Sequence, residues 1–305
     1  MTILTRRVVA AFALALLAAA GGCSGDAGSG ERSGPPSVPR IESVPLGDRP
    51  FTLHVPSAYK EGTAIPLLVL LHGYTSSGSA QEAYLKIRSE AERRGILYAT
   101  PNGTMDQRRD RFWNATDACC NRFGSTVDDS AYLADVIAAV SSRYSVDAAR
   151  VYLVGHSNGA FMSYRMACDH ADLIAAIAAL NGAMLSDVSE CKPSQAVSVL
   201  DIHSDGDELI QYGGGLIAGN PYPSAQATVD AWVALNGCDG APDTSAAPLD
   251  LESNVDGPET TVTAYGICRE NSTVALWTIH DGRHVPAFTP NFVPAVLDFL
   301  LAQSL

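Results

Sequence analysis

Basic side chains are scarce in this 305-residue chain: 20 Lys and Arg against 33 Asp and Glu leave a formal net charge of -13. A surface of that sign repels phosphate backbones and anionic lipid headgroups, which excludes nucleic acid as a partner and charge-driven membrane binding. Long apolar runs are also lacking. The N-terminal one, Val8 to Ala20, is too short to cross a bilayer comfortably. No internal repeat or appended binding module is visible, and the spacings of the seven cysteines fit no zinc pattern.

What the N-terminus does have is the form of an export signal. Arg6 and Arg7 precede the apolar run, and the stretch closes on Ala20-Gly21-Gly22-Cys23. Small residues before a cysteine resemble a bacterial lipobox, so residues 1–22 read as a signal peptide of lipoprotein type with Cys23 lipidated. Ala20 stands where a lipobox usually has leucine, which leaves cleavage by an ordinary signal peptidase open. Residues 23–39, rich in Gly, Ser and Pro, read as a flexible linker. Residues 40–305 are the size of one α/β domain. The chain is therefore expected outside the cytoplasm, secreted or lipid-anchored at the cell surface, with the membrane reached only through that anchor.

Cys119, Cys120, Cys168, Cys191, Cys238 and Cys268 remain, an even number that suggests disulfides in an exported chain. Cys238 and Cys268 flank one insert-like stretch and form the best single pair. Adjacent Cys119 and Cys120 are expected to reach different partners. The pairing of these two and of Cys168 and Cys191 stays open.

Strand-like runs recur at residues 51–55, 66–72, 96–100, 151–154, 174–180, 197–203 and 273–279, several of them continuously apolar, as in strands covered on both faces. Helical patterns lie between them. One starts after Asp128 or Asp129, either of which can cap it, and another runs from Ser224 to Gly237. A last one carries Phe292, Val296, Leu297 and Leu300. This alternation predicts a single-domain α/β fold with a doubly wound, mostly parallel sheet.

Gly155-His156-Ser157-Asn158-Gly159 lies between a β-rich run and a helix former. A serine on a strand-to-helix turn has room to be a nucleophile, with glycines two residues to either side and the helix N-terminus facing the developing oxyanion. In doubly wound sheets ligands sit beyond the C-terminal strand ends. Two later runs end there with candidate partners: Asp205 and Asp207 after His203, and His280 and His284 after Ile279. The order serine, acid, histidine is that of α/β-hydrolases. Asp205 reads as a loop aspartate capping its own turn, so Asp207 is preferred.

These motifs, with Leu70-Leu71-His72-Gly73 and Leu276-Trp277 leading to His284, resemble the secreted polyhydroxybutyrate depolymerase and feruloyl esterase group of α/β-hydrolases. The resemblance implies an α/β-hydrolase fold with Ser157 as nucleophile, Asp207 as acid and His284, after a Gly-containing loop, as base. It implies a serine esterase acting on small or oligomeric esters without metal or organic cofactor. Backbone N–H groups of Tyr74 and Asn158 would form the oxyanion hole. Where such esterases often carry an aromatic residue soon after the base, this chain has Val285-Pro286, so Tyr74 and Trp113, with Phe112 and Phe161, are the candidates for the substrate wall, ordinary core packing being the alternative for each. His72 would brace the oxyanion loop, while His54, His170 and His203 would be structural. Two alternatives stand beside this reading: a serine peptidase of the same fold, which would usually need an additional domain, and a non-catalytic surface-binding lipoprotein.

Overall fold

A computed structural model describes residues 38–305. The export segment 1–22, Cys23 and all but the last two residues of the 23–39 stretch lie outside the described residues. In chain order the elements are β1 (Arg40–Val44), β2 (Phe51–Val55), β3 (Ile65–Leu71), α1 (Gly78–Leu85), α2 (Ile87–Arg94), β4 (Leu97–Thr100), β5 (Thr104–Met105), β6 (Arg111–Phe112) and α3 (Asp129–Ser141). There follow β7 (Val146–His156), α4 (Asn158–Asp169), β8 (Ala176–Leu180), β9 (Ser198–Ser204), β10 (Gly215–Ile217), β11 (Asn220–Tyr222), α5 (Ala225–Leu235), β12 (Thr260–Tyr265), β13 (Val274–Ile279) and α6 (Phe292–Leu301).

Nine strands form one sheet in the order β1-β2-β4-β3-β7-β8-β9-β13-β12. The run from β4 to β13 is parallel throughout, and antiparallel strands close both edges. The apolar run of β3 shows why: Leu67, Val69 and Leu71 enter one core layer while Leu68 and Leu70 enter the other. A strand buried on both faces has no polar side to show. On one face pack residues of α3, α4 and α5, including Leu133, Phe161 and Trp232; on the other pack those of α2 and α6, including Ile87, Phe292 and Leu297.

Local chemistry sets the helix ends. Asp128 caps α3 by accepting from Ala131 N at 2.9 Å, and Ser224 caps α5 by accepting from Ala227 N at 3.0 Å. Of the two cap candidates for α3, Asp129 instead turns inward, where it holds Arg49 at 2.7 Å, the Asn114 N–H at 2.8 Å and Thr104 Oγ1 at 3.2 Å. Beyond α5, Gly237 takes φ 59°, the left-handed conformation in which glycine carries no Cβ penalty.

Disulfides join Cys168 to Cys191 and Cys238 to Cys268. The third corrects the expectation for the adjacent pair: Cys119 and Cys120 bond to each other, through a cis peptide that brings their Cα atoms to 3.0 Å. With one sulfur on each neighbour buried at the same spot, neither reaches the remaining cysteines.

Candidate active site

Ser157 sits between β7 and α4 with φ 54° and ψ -122°, a conformation costly for any residue with a Cβ. Two glycines make the turn fit. A Cβ on Gly155 would lie 2.1 Å from Gly159 O, and one on Gly159 would lie 2.1 Å from Leu71 O. The turn is thus pressed against itself and against the end of β3, which lifts Ser157 above the sheet.

From the ends of two other strands come its partners. His284 Nε2 lies 2.9 Å from Ser157 Oγ, and His284 Nδ1 lies 2.7 Å from Asp207 Oδ2. The other Asp207 oxygen accepts from the N–H groups of Leu209 and Ile210, each at 2.8 Å. Since the carboxylate only accepts, Nδ1 carries the proton and Nε2 is left to accept from the serine hydroxyl. The rival residues pair with each other instead: His280 Nδ1 lies 2.7 Å from Asp205 Oδ2, and Asp205 Oδ1 accepts from Asp281 N. Asp207 and His284 are buried, whereas the side chains of Asp205 and His280 are 36% and 47% exposed.

The ring of His284 is carried on a fixed backbone. Its carbonyl accepts from His156 Nε2 at 2.9 Å and from Asn181 Nδ2 at 3.0 Å. Asn181, just beyond β8, also accepts from Ser204 N at 2.8 Å and so ties the histidine loop to the end of β9. Neither role was visible in the sequence. Burial, followed by the neighbouring His284, pushes the His156 imidazole down to about 4, so it donates as a neutral ring.

His72 braces the neighbouring loop in the same neutral state. Its Nε2 accepts from Gly103 N at 2.9 Å, so Nδ1 holds the proton and donates to Gly73 O at 2.7 Å. Burial is the main reason its pKa falls to about 4. Gly73 packs against Ser157, a Cβ there falling 3.4 Å from the serine Cβ, and Tyr74 follows directly. Asn158 opens α4; its side chain is fully buried and clamps the backbone of Trp113, accepting from the N–H at 2.7 Å and donating to the carbonyl at 3.0 Å.

Behind Asp207 lies a second carboxylate–imidazole pair. His203 Nε2 donates to Ile210 O at 2.8 Å, and its Nδ1 faces Asp201 Oδ1 at 3.8 Å. Asp201 Oδ2 accepts from Tyr164 OH at 2.7 Å. Burial alone would lower the pKa of His203, but Asp201, assisted by the Ile210 carbonyl and Asp207, outweighs it and raises the value.

A cleft of about 530 Å³ opens over Ser157 and His284, with Tyr74, Cys119, Cys120, Leu209 and Val285 among its walls. Trp113, expected in that wall, is not there. It is fully buried, with Nε1 donating to His72 O at 2.9 Å. Phe112 and Phe161 are buried as well. An indole that finds both an apolar packing site and a carbonyl has no need of the surface. The bonded Cys119–Cys120 pair lines the cleft.

The chain is similar to known proteins in sequence and in fold. The family model described as Esterase PHB depolymerase matches residues 51–231. Feruloyl esterase B of Piromyces equi is 27% identical over 244 residues, which are 77% of this chain and 42% of that protein. The putative esterase NocK of Nocardia uniformis subsp. tsuyamanensis is 26% identical over 265 residues, covering 82% of this chain and 74% of its own. The chain thus spans less than half the length of the first of these relatives. Among solved structures, acetyl xylan esterase from Aspergillus awamori superposes with a TM-score of 0.61 at 16% identity, covering 86% of this chain and 98% of that one. At that identity the likeness speaks for the fold, which is that of the α/β-hydrolases.

Proposed function

The chain belongs to the Esterase PHB depolymerase family, and on that premise we propose that it is an exported serine esterase with Ser157, His284 and Asp207 as its catalytic triad. The observation that carries this reading is the unbroken hydrogen-bond chain from Asp207 through His284 to Ser157, at 2.7 and 2.9 Å. Ser157 Oγ attacks the ester carbonyl carbon while His284 Nε2 takes the hydroxyl proton. Asp207 stabilises the resulting imidazolium and holds the ring in the productive tautomer.

The tetrahedral oxyanion is received by the N–H groups of Tyr74 and Asn158, which have no partner among the described residues' turn, loop and cap hydrogen bonds. Loss of one such donor costs about 3 kcal/mol of transition-state stabilisation. His284 then protonates the departing alcohol, and a water deprotonated by the same imidazole releases the acid from Ser157. The likeness to feruloyl and acetyl xylan esterases, and a cleft of about 530 Å³, favour small or oligomeric esters over a crystalline polymer face. Three disulfides fit an oxidising compartment, and lipidation of Cys23 is part of the proposal.

Ser157→Ala should lower kcat for a 4-nitrophenyl ester by about 10⁴-fold or more. Undiminished hydrolysis by that variant would sink the reading. A fluorophosphonate probe should label wild type and leave the variant unlabelled, which separates an esterase from a surface-binding lipoprotein.

A further inference from the structure

The cleft over Ser157 runs against the charge of the whole molecule. In a chain with 33 acidic and 20 basic side chains, no carboxylate among the described residues lines it, and the one Lys or Arg among them that does is Arg122. The Arg122 guanidinium lies 5.0 Å from the centroid of the Tyr74 ring. It takes part in none of the ion pairs among the described residues. The acid beside Tyr74 is already engaged, since Asp106 accepts from Tyr74 OH at 3.1 Å and from the N–H groups of Arg108 and Asp110.

The loop beneath this cation is braced. Arg122 N donates to Cys120 O at 2.9 Å, and Cys120 is bonded to Cys119. The Asn121 carboxamide donates to Asn114 Oδ1 at 3.1 Å and to Ser125 O at 2.7 Å, and accepts from Ser125 N at 2.7 Å. A guanidinium resting on an anchored ring loses little freedom on binding and keeps its N–H edge for a planar anion. The neighbouring walls are apolar, with Leu209 and Val285 62% and 58% exposed. An apolar cleft with a reactive serine and one unpaired guanidinium suits an ester with a carboxylate held on a short apolar spacer.

We propose that Arg122 forms a carboxylate subsite and that the preferred substrates of this cleft are ester acids rather than neutral esters. The proposal rests on the esterase reading above and adds the charge of its substrate. A carboxylate can sit on either side of the scissile bond, so two matched pairs are needed. Mono-4-nitrophenyl adipate against 4-nitrophenyl hexanoate places it on the acyl side. Against phenyl hexanoate, 3-carboxyphenyl hexanoate places it on the alcohol side.

With the full chain, Arg122→Gln should lower the charged-to-neutral ratio of kcat/KM by about tenfold in at least one pair, the strength of a charge-assisted hydrogen bond. The pair that responds identifies the side. Raising NaCl to about 0.5 M should reduce that ratio in wild type and leave it nearly flat in the variant. A ratio that stays within about twofold in both pairs overturns the subsite while leaving the esterase intact. If wild type hydrolyses none of the four esters, the esterase reading and the subsite fall together.

Discussion

A proton has to be assigned to Asp201 and His203, and the assignment bears on the site above them. Because His203 Nε2 donates to Ile210 O, a neutral ring would point its Nδ1 lone pair at the Asp201 carboxylate, and both atoms are buried without a hydrogen-bond partner. One proton between them removes that opposition. Asp201 draws that proton toward the imidazole, whose pKa is raised, and the protonated ring sets its Nε2 4.0 Å from Asp207 Oδ2. The other groups that meet this pair are Tyr164 from α4, bonded to Asp201, and Tyr212, whose ring packs edge-on against His203. His203 is therefore a positioning residue for the proposed acid. His203→Gln, able to keep the bond to Ile210 O, removes a cation that opposes protonation of the site. The acid limb of its kcat/KM profile should move to higher pH by about half a unit or more. A purely structural role would lower the whole profile without moving that limb.

Among the elements, the turn from β7 into α4 is the least tolerant. Gly155→Ala should lower stability by about 2 to 4 kcal/mol, measured as a denaturant midpoint, because its methyl meets the Gly159 backbone, which cannot move aside as a side chain can. This turn was legible because glycine spacing, an apolar run before it and a helix pattern after it are all local signals. Asp207 and His284 lie 77 residues apart, and Ser157 and His284 lie 127 apart. They were still legible as a set, since a doubly wound sheet gathers its strand ends on one rim. What sequence did not carry was set by packing. Trp113 found a carbonyl inside the core, Asn181 and His156 fixed a carbonyl in the loop after β13, and Cys120 bonded its neighbour. The edge strands β1 and β12 also escaped notice, since half-exposed strands lack the apolar run that marks the buried ones. The Cys238–Cys268 bridge closes a 30-residue separation that includes β12. Replacing both cysteines by alanine should cost about 3 to 4 kcal/mol of stability, and kcat for a 4-nitrophenyl ester should change little, because neither cysteine is among the cleft walls.

For the whole molecule, the two neutral histidines make stability depend on pH. His72 and His156 are both lowered from 6.5 to about 4 by burial. Between those values the unfolded chain binds protons that the folded chain refuses, so stability is complete above about 6.5 and falls as pH decreases. At pH 5 each histidine should cost about 2 kcal/mol, and the pair about 4, a large share of the roughly 5 to 15 kcal/mol that holds a domain together. His203 does not compensate. Its raised pKa gives a contribution already complete below 6.5, hence constant across this window. Calorimetry should therefore show Tm falling between pH 7 and pH 5. In His156→Gln, whose amide can still donate to His284 O, the fall should be about half as steep. An equal slope in the variant would show that His156 does not titrate as its burial requires. Because both rings brace the loops that carry His284 and Tyr74, acid should loosen the site and the fold together.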